Sequence, residues 1–355
     1  MPPSNPFVAG AKLQNLRKFV GREEELAALT SRMSGVQPTS VNIVGEKRIG
    51  KSSLLYYFCL TWRQRILDVD KYVVIYLSLQ GARCQREDNF YQSVAQELQT
   101  NSSVVAQEAL VEALNKEPFN RLAFSHAIKK FKQHNLLPVL CLDDFESLFN
   151  YPQEFDNGFY DSLRSLMDDN ALMLILTSCQ VLDIHAHEHR LISSFFNLGH
   201  VIKLGELTQD EAIEITRFPD HYSINRNPAL TLKEQNYALQ WGRCHPYLVQ
   251  LACSYLWEAK HHNKSIQWAK QKFQQEVSKM KPGIKKSYTG VMTQNLNLWK
   301  WLQKIGALPA NIGNILERFT HTIAGLIILL LPILIIAGVL RLEEVREILQ
   351  KLLSK

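Results

Sequence analysis

No C-x-x-C pair occurs among the six cysteines, Cys59, Cys84, Cys141, Cys179, Cys244 and Cys253. This excludes the paired-thiol metal and redox motifs, and the mostly apolar surroundings read as buried free thiols in a reducing compartment. The opening "MPPSNPFVAG" lacks a charged n-region and an apolar h-region, so no secretory leader is expected. Neither an internal repeat nor a low-complexity tract stands out, which leaves solenoids and disordered linkers aside. Charge of one sign is scarce in excess: 40 Lys+Arg against 34 Asp+Glu give a net of +6 over 355 residues. That balance permits contact with nucleic acid or anionic lipid and demands neither. The stretch "HAHEH" sets His185 and His189 one helical turn apart. With no second cluster to supply further ligands, it reads as a surface helix rather than a metal site.

What is present begins at residues 41–55, "VNIVGEKRIGKSSLL". The β-branched Val41, Ile43 and Val44 suit a buried strand. Gly45 to Ser52 then fill every specified position of the P-loop pattern G-x-x-x-x-G-K-[ST]. Gly45 and Gly50 let the backbone turn its N–H groups toward phosphates. Lys51 is expected on the β- and γ-phosphates of ATP or ADP, and the Ser52 hydroxyl on Mg²⁺. Ser53 opens the helix whose N-terminus faces the anion.

Further strands are expected at 71–79, 137–146, 171–179 and 200–204, alternating with helices, which implies a parallel sheet covered on both faces. From Leu207 the pattern turns helical only, and Thr208 with Glu211 forms the capping box that starts this second part. The strand "LPVLCLDDFE" ends in acids. Asp143 is expected to hold Mg²⁺, and Asp144 to polarise the attacking water in a place where Glu is usual. Glu146 is close enough in sequence to substitute, or is a solvated acid. On the fourth strand, Thr177 and Ser178 offer a polar tip that could sense the γ-phosphate, Ser178 being the expected catalytic member.

Residues 323–340, "IAGLIILLLPILIIAGVL", carry no charge. With residues 319–322 they reach ~33 Å as a helix, enough for a hydrocarbon core of roughly 30 Å. Thirteen Leu, Ile and Val residues in the run contribute about −4 to −8 kcal/mol on an insertion scale. A single-pass membrane helix over 319–340 is therefore expected, with a buried oligomerisation helix as its rival. The expected division is an arm at 1–20, a P-loop core at 21–206, a helical lid at 207–278, a basic linker at 279–318, the apolar helix, and an amphipathic tail at 341–355.

This order of parts resembles the AAA+ and STAND NTPases, most closely the bacterial AAA-like (novel STAND) group. The residues that carry the resemblance are "FVGREEEL" before the P-loop, the DDFE strand, the T-S strand tip and "GRCHPYLVQLAC" in the helical part. It implies a five-stranded sheet in the order 5-1-4-3-2 with ATP between sheet and lid. It also implies that Gly21 and Arg22 lie near the adenine and that Gly242 to Pro246 approach from the lid. Cys179 stands where the group often has Arg, and together with Asp144 this implies slow hydrolysis. The implied function is a regulatory ATPase switch that forms a homo-oligomer with ATP, answers an unknown trigger and acts at the cytoplasmic face of a bacterial inner membrane, in signalling or conflict. A DNA-acting AAA+ ATPase is the alternative, disfavoured by the apolar segment, and a nucleotide-stabilised membrane scaffold is a third reading.

Overall fold

A computed structural model describes residues 4–10, 12, 13, 15–219 and 227–280. The linker beyond residue 280, the apolar run at 319–340 and the tail at 341–355 lie outside the described residues. Among the described residues, no helix is long and apolar enough to cross a membrane.

Helix α1 (Glu23–Met33) leads into β1 (Val41–Val44) and α2 (Lys51–Thr61), followed by β2 (Tyr72–Ser78). Four helices come next: α3 (Glu87–Gln99), α4 (Ser102–Val105), α5 (Glu108–Leu114) and α6 (Arg121–Gln133). Then β3 (Leu137–Asp143), α7 (Asn157–Asp168), β4 (Met173–Ser178), α8 (Leu182–Glu188) and β5 (His200–Lys203) complete the core. The strands form one parallel sheet in the order β2-β3-β4-β1-β5, which is the expected 5-1-4-3-2 read from the other edge.

The period-two alternation of each strand divides the core into two layers. Val73, Ile75, Leu140, Leu142, Leu174 and Leu176 pack under the aromatic-rich layer of α3, α6 and α7. Val41, Ile43, Val139, Cys141, Met173 and Ile175 face α1 and α2 instead. Central strands covered on both faces must be apolar throughout, and every residue of β4 is buried. The edge strand β5 alternates half-buried and exposed positions, as an edge needs. Register sets Val44 beside Ser178, Leu176 beside Leu142 and Asp143 beside Ser78, so the carboxyl ends of β1, β4, β3 and β2 finish side by side. Crevices outside those ends are where α/β sheets take ligands.

The helical part comprises α9 (Gln209–Thr216), α10 (Leu232–Gly242), α11 (Pro246–His261) and α12 (Ile266–Ser278). Both bonds of the Thr208–Glu211 capping box are present, and Thr231 with Glu234 builds a second one at the head of α10. The expectation of helices alone needs one correction: Pro219 bridges Pro228 as a short antiparallel contact between α9 and α10.

Candidate nucleotide-binding site

The loop Gly45–Gly50 runs from the end of β1 to the start of α2. Gly50 caps α2 with φ +104, a left-handed value that an L side chain rarely adopts, and a Cβ there would meet no atom within 4 Å. The loop therefore keeps open space on that side. The bond from Leu54 N to Gly50 O, 2.9 Å, is the first inside the helix, so the amides ahead of it point out of the helix end. Lys51 is only 6% exposed, and its ammonium donates to Gly45 O at 2.7 Å and Glu46 O at 3.0 Å. Both acceptors are neutral carbonyls of the same loop, so an anion entering the cradle would displace only uncharged hydrogen-bond acceptors of the lysine.

The acids are organised by two hydroxyls. Asp143, 3% exposed, accepts from Thr177 Oγ1 at 2.7 Å on one oxygen and from Tyr76 Oη at 2.7 Å on the other. Burial, with Asp143 beside it, pushes the Tyr76 phenol far up, so it remains a neutral donor. Thr177 Oγ1 also accepts from Asp144 N at 2.8 Å. Asp144 sits in the left-handed region, φ 58, a conformation Asp tolerates better than most residues. Its carboxyl is pushed up to about 6, first by burial and then by Asp143 and Glu146, while Lys51 and Lys47 pull the other way.

Ser178 is placed differently from the expectation. Its fully buried hydroxyl contacts Asn42 Oδ1 at 3.0 Å and Gln180 O at 2.5 Å, under the loop rather than along the cleft. Thr177 is the strand-tip hydroxyl that reaches the acids. Cys179, where the resemblance implied an arginine, lies 3.9 Å from Lys51 Nζ, and burial followed by Glu146 pushes its thiol up to about 11. It is a neutral neighbour of the lysine. Glu146 accepts from Cys179 N through one oxygen, while its other oxygen is buried with no partner among the described residues.

A cleft of about 670 Å³ opens over these groups, and Arg22, Gly50, Lys51, Ser52, Ser53, Asp144 and Pro246 all line it. Gly45 and Gly21 do not line it: Gly45 acts through its carbonyl on Lys51, and Gly21 packs against Glu211 of the lid. Gly21 has φ +68, and a Cβ there would fall 1.9 Å from Glu211 Oε1. That approach lets Arg22 N donate to Glu211 Oε1 at 2.8 Å, while the Arg22 guanidinium reaches Gly205 O and Glu25. On the lid side, His245 is 1% exposed, and both ring nitrogens lack partners among the described residues. Burial brings its imidazole down to about 4, so it is neutral. Next to it, Tyr247 stacks under the Arg48 guanidinium at 4.4 Å, a contact from lid to P-loop.

The N-terminal arm supplies residues that sequence reasoning did not assign to the site. Lys12 lies 4.0 Å from the ring of Tyr56 and 3.9 Å from that of Tyr76, and burial lowers its ammonium. Leu13 N donates to Ser53 Oγ at 3.3 Å and Val8 N to Gln250 Oε1 at 3.1 Å. No spacing rule foretells that an arm will fold over a cleft. Tyr76 was accessible in principle, because β2 alternation sets it on the α2 face.

The residues fit a magnesium nucleotide. Asp143 makes no ion pair among the described residues, and its two contacts are neutral hydroxyls. With Asp144 beside it in the chain and the Ser52 hydroxyl lining the cleft, these are the hard oxygen donors that Mg²⁺ takes.

Residues 21–281 match a family model described as the AAA-like domain. No curated protein matches the chain. Among solved structures, it is similar to the Walker-type ATPase PABY2304 of Pyrococcus abyssi, with 17% identity, a TM-score of 0.53, and 82% of this chain and 78% of that one covered. It is also similar to the ORC2 protein of Aeropyrum pernix in ADPNP–ADP complexes, with 14% identity, a TM-score of 0.49, and 78% and 72% covered. For the ORC1 protein of the same organism in complex with DNA, the values are 14%, 0.47, and 84% and 76%. At these identities the likeness is one of fold.

Proposed function

The chain belongs to the AAA-like domain family, and on that premise we propose that it is an ATP-binding regulatory NTPase with slow turnover. The observation that carries this reading is the convergence of Lys51, Asp144, the arm and lid Pro246 on one cleft. Lys51 exchanges its loop carbonyls for the terminal phosphates. Asp144, held by Thr177 at its backbone, takes the proton of the attacking water. Ser52 and Asp143 would hold Mg²⁺, which would supply charge neutralisation at the phosphates. Slow turnover is supported by the short Asp144 side chain and by a neutral thiol, Cys179, in the place of an arginine.

The switch reading rests on the lid contacts. Arg22 to Glu211 and Arg48 to Tyr247 tie the loops around the cleft to α9 and α11. A nucleotide that draws Arg48 or Lys51 toward phosphate changes what those contacts hold, and so biases lid position. We further propose that the ATP state assembles as a homo-oligomer and associates with a membrane through 319–340, facing the cytoplasm. Its support is the uncharged apolar run in the sequence.

Fractionation of cells expressing the full chain and a truncation after Arg318, each compared in ATP and in ADP, tests both parts. The full chain is expected in the membrane fraction, resisting a carbonate wash, with the truncation soluble and larger in ATP than in ADP. A full chain that is soluble and monodisperse without detergent overturns the anchor. One assembly state in both nucleotides overturns the switch.

A further inference from the structure

Beyond the phosphate and magnesium groups, the same cleft carries a second set of ligating side chains near the end of α8. His185, Glu188 and His189 all line it, and one donor atom from each lies within 4.8 Å of the other two. Spacing alone offered only the two histidines; the fold adds Glu188 to the same point. We propose that these three residues bind one divalent transition metal ion of the zinc class, with the remaining coordination position open to the cleft.

Three observations support the site. His185 is 8% exposed and lines the cleft, so its ring is already held at the site. Its Nδ1 lies 3.6 Å from Glu188 Oε2, beyond ordinary hydrogen-bond length. Two ligands each about 2.0–2.1 Å from a tetrahedral zinc stand roughly 3.3–3.4 Å apart, so that separation suits a shared ion better than a shared proton. The third observation is ring orientation. Both imidazoles lie nearly parallel to Phe149, His185 at 5.2 Å and 25° and His189 at 5.1 Å and 19°. One aromatic wall thus orients both rings alike, the buried His185 more firmly than the exposed His189, which reduces the ordering that metal binding must impose.

The chemistry separates this site from the magnesium position. Two imidazoles and one carboxylate form a borderline donor set that suits Zn²⁺, Ni²⁺ or Co²⁺, whereas Asp143 and the Ser52 hydroxyl offer hard oxygens. Glu188 and His189 are exposed. The spread of 4.8 Å therefore has to shrink by only about 1.4 Å to reach the ligand separation of a tetrahedral zinc, through side chains with room to turn.

The test uses the full chain, nucleotide-free and stripped with chelator, titrated with zinc chloride against a chromophoric competitor. One zinc per chain is expected, and a cobalt-loaded sample should show the visible bands of a tetrahedral nitrogen–oxygen site. His189→Ala and Glu188→Gln should each weaken zinc binding by more than about 100-fold, above the 10–100-fold cost of losing an outer partner. His187→Ala, at an exposed histidine outside the group, should bind like the parent. Zinc should raise the unfolding midpoint of the parent and of His187→Ala but not of His189→Ala, while all three unfold alike in chelator. Equal losses in His187→Ala and His189→Ala, an affinity unchanged in Glu188→Gln and His189→Ala, or a thiolate-to-cobalt absorption band would each overturn the site.

Discussion

Thr177 Oγ1 stands between two consecutive acids, donating to Asp143 Oδ1 at 2.7 Å while accepting from Asp144 N at 2.8 Å. One hydroxyl thereby fixes both the buried carboxylate and the backbone that aims its neighbour. Thr177→Val keeps the shape and removes both bonds. It should cost about 1–3 kcal/mol of stability, because a buried acceptor loses a partner. Magnesium-dependent turnover should fall by more than that stability loss explains. Ser178→Ala is the matched control, since its hydroxyl faces Asn42 and Gln180. Thermal melts and phosphate release on both variants decide the matter, and a larger loss of turnover in Ser178→Ala would return the sensing role to Ser178.

Lys51→Ala should abolish tight ATP binding and leave the fold largely intact. The ammonium is buried at the loop and donates to Gly45 O and Glu46 O. Those carbonyls each lose one donor, which disturbs the loop locally. For the phosphates the loss is greater, since a charge-assisted contact in a recessed cradle disappears. Isothermal titration should show at least about a 100-fold weaker affinity, roughly 2.7 kcal/mol, against an unfolding midpoint close to the parent's. Near-parental affinity would mean that the cradle does not hold phosphate.

The raised Asp144 carboxyl predicts a pH dependence in two directions. As a base it must be ionised, so turnover should decline as pH drops through about 6. For stability the sign is opposite. A folded-state value of about 6 against an ordinary 3.8 means that the nucleotide-free fold prefers the protonated acid. That preference is fully present below pH 3.8 and is lost as pH rises through about 6. Asp144→Asn should therefore gain stability relative to the parent above pH 6 and show little difference near pH 3.5, while losing turnover. Asp144→Glu, which restores the longer side chain, should raise the basal rate. A flat pH profile for both turnover and relative stability would remove Asp144 from the base role.

How much of this was legible in the sequence depends on the kind of signal. The parallel sheet follows from apolar runs alternating with helices, its strand order came with the resemblance, and β4, buried at every residue, reads as what it is. The P-loop is legible because each of its positions has a separate backbone or charge requirement. Arg22 and Pro246 reached the cleft through resemblance rather than spacing, and the bond from Arg22 N to Glu211 joins residues 189 apart. Ser178 and Thr177 are adjacent on a strand, so their side chains point to opposite faces, and only the register of β4 against β3 tells which one meets Asp143. The arm was illegible for another reason. Lys12 has no motif, and its place between Tyr56 and Tyr76 exists only once α2 and β2 are side by side.

The arm gives the final prediction. It is tied to the lid through Val8 N on Gln250 Oε1 and Asn5 Nδ2 on Ser254 Oγ, and to the P-loop helix through Leu13 N on Ser53 Oγ. A nucleotide leaving the cleft must pass either this strap or the lid that it holds. Gln250 is 5% exposed, and Gln250→Ala removes the acceptor of Val8 N at little cost in volume to the exterior. Lys12→Met keeps the length of the side chain and removes the cation–π contacts, worth about 0.5–2 kcal/mol. Both changes loosen the strap and leave Lys51 in place, and Gln250→Ala also leaves the charge around Asp143 as it is, whereas Lys12→Met removes a cation that acts on Asp143. Release of a fluorescent ADP analogue, followed by stopped flow, should accelerate several-fold in each variant. The double variant should gain little beyond the faster single one, because both act on one element. If release is unchanged in all three, the arm only packs against the cleft, and the lid alone controls exit.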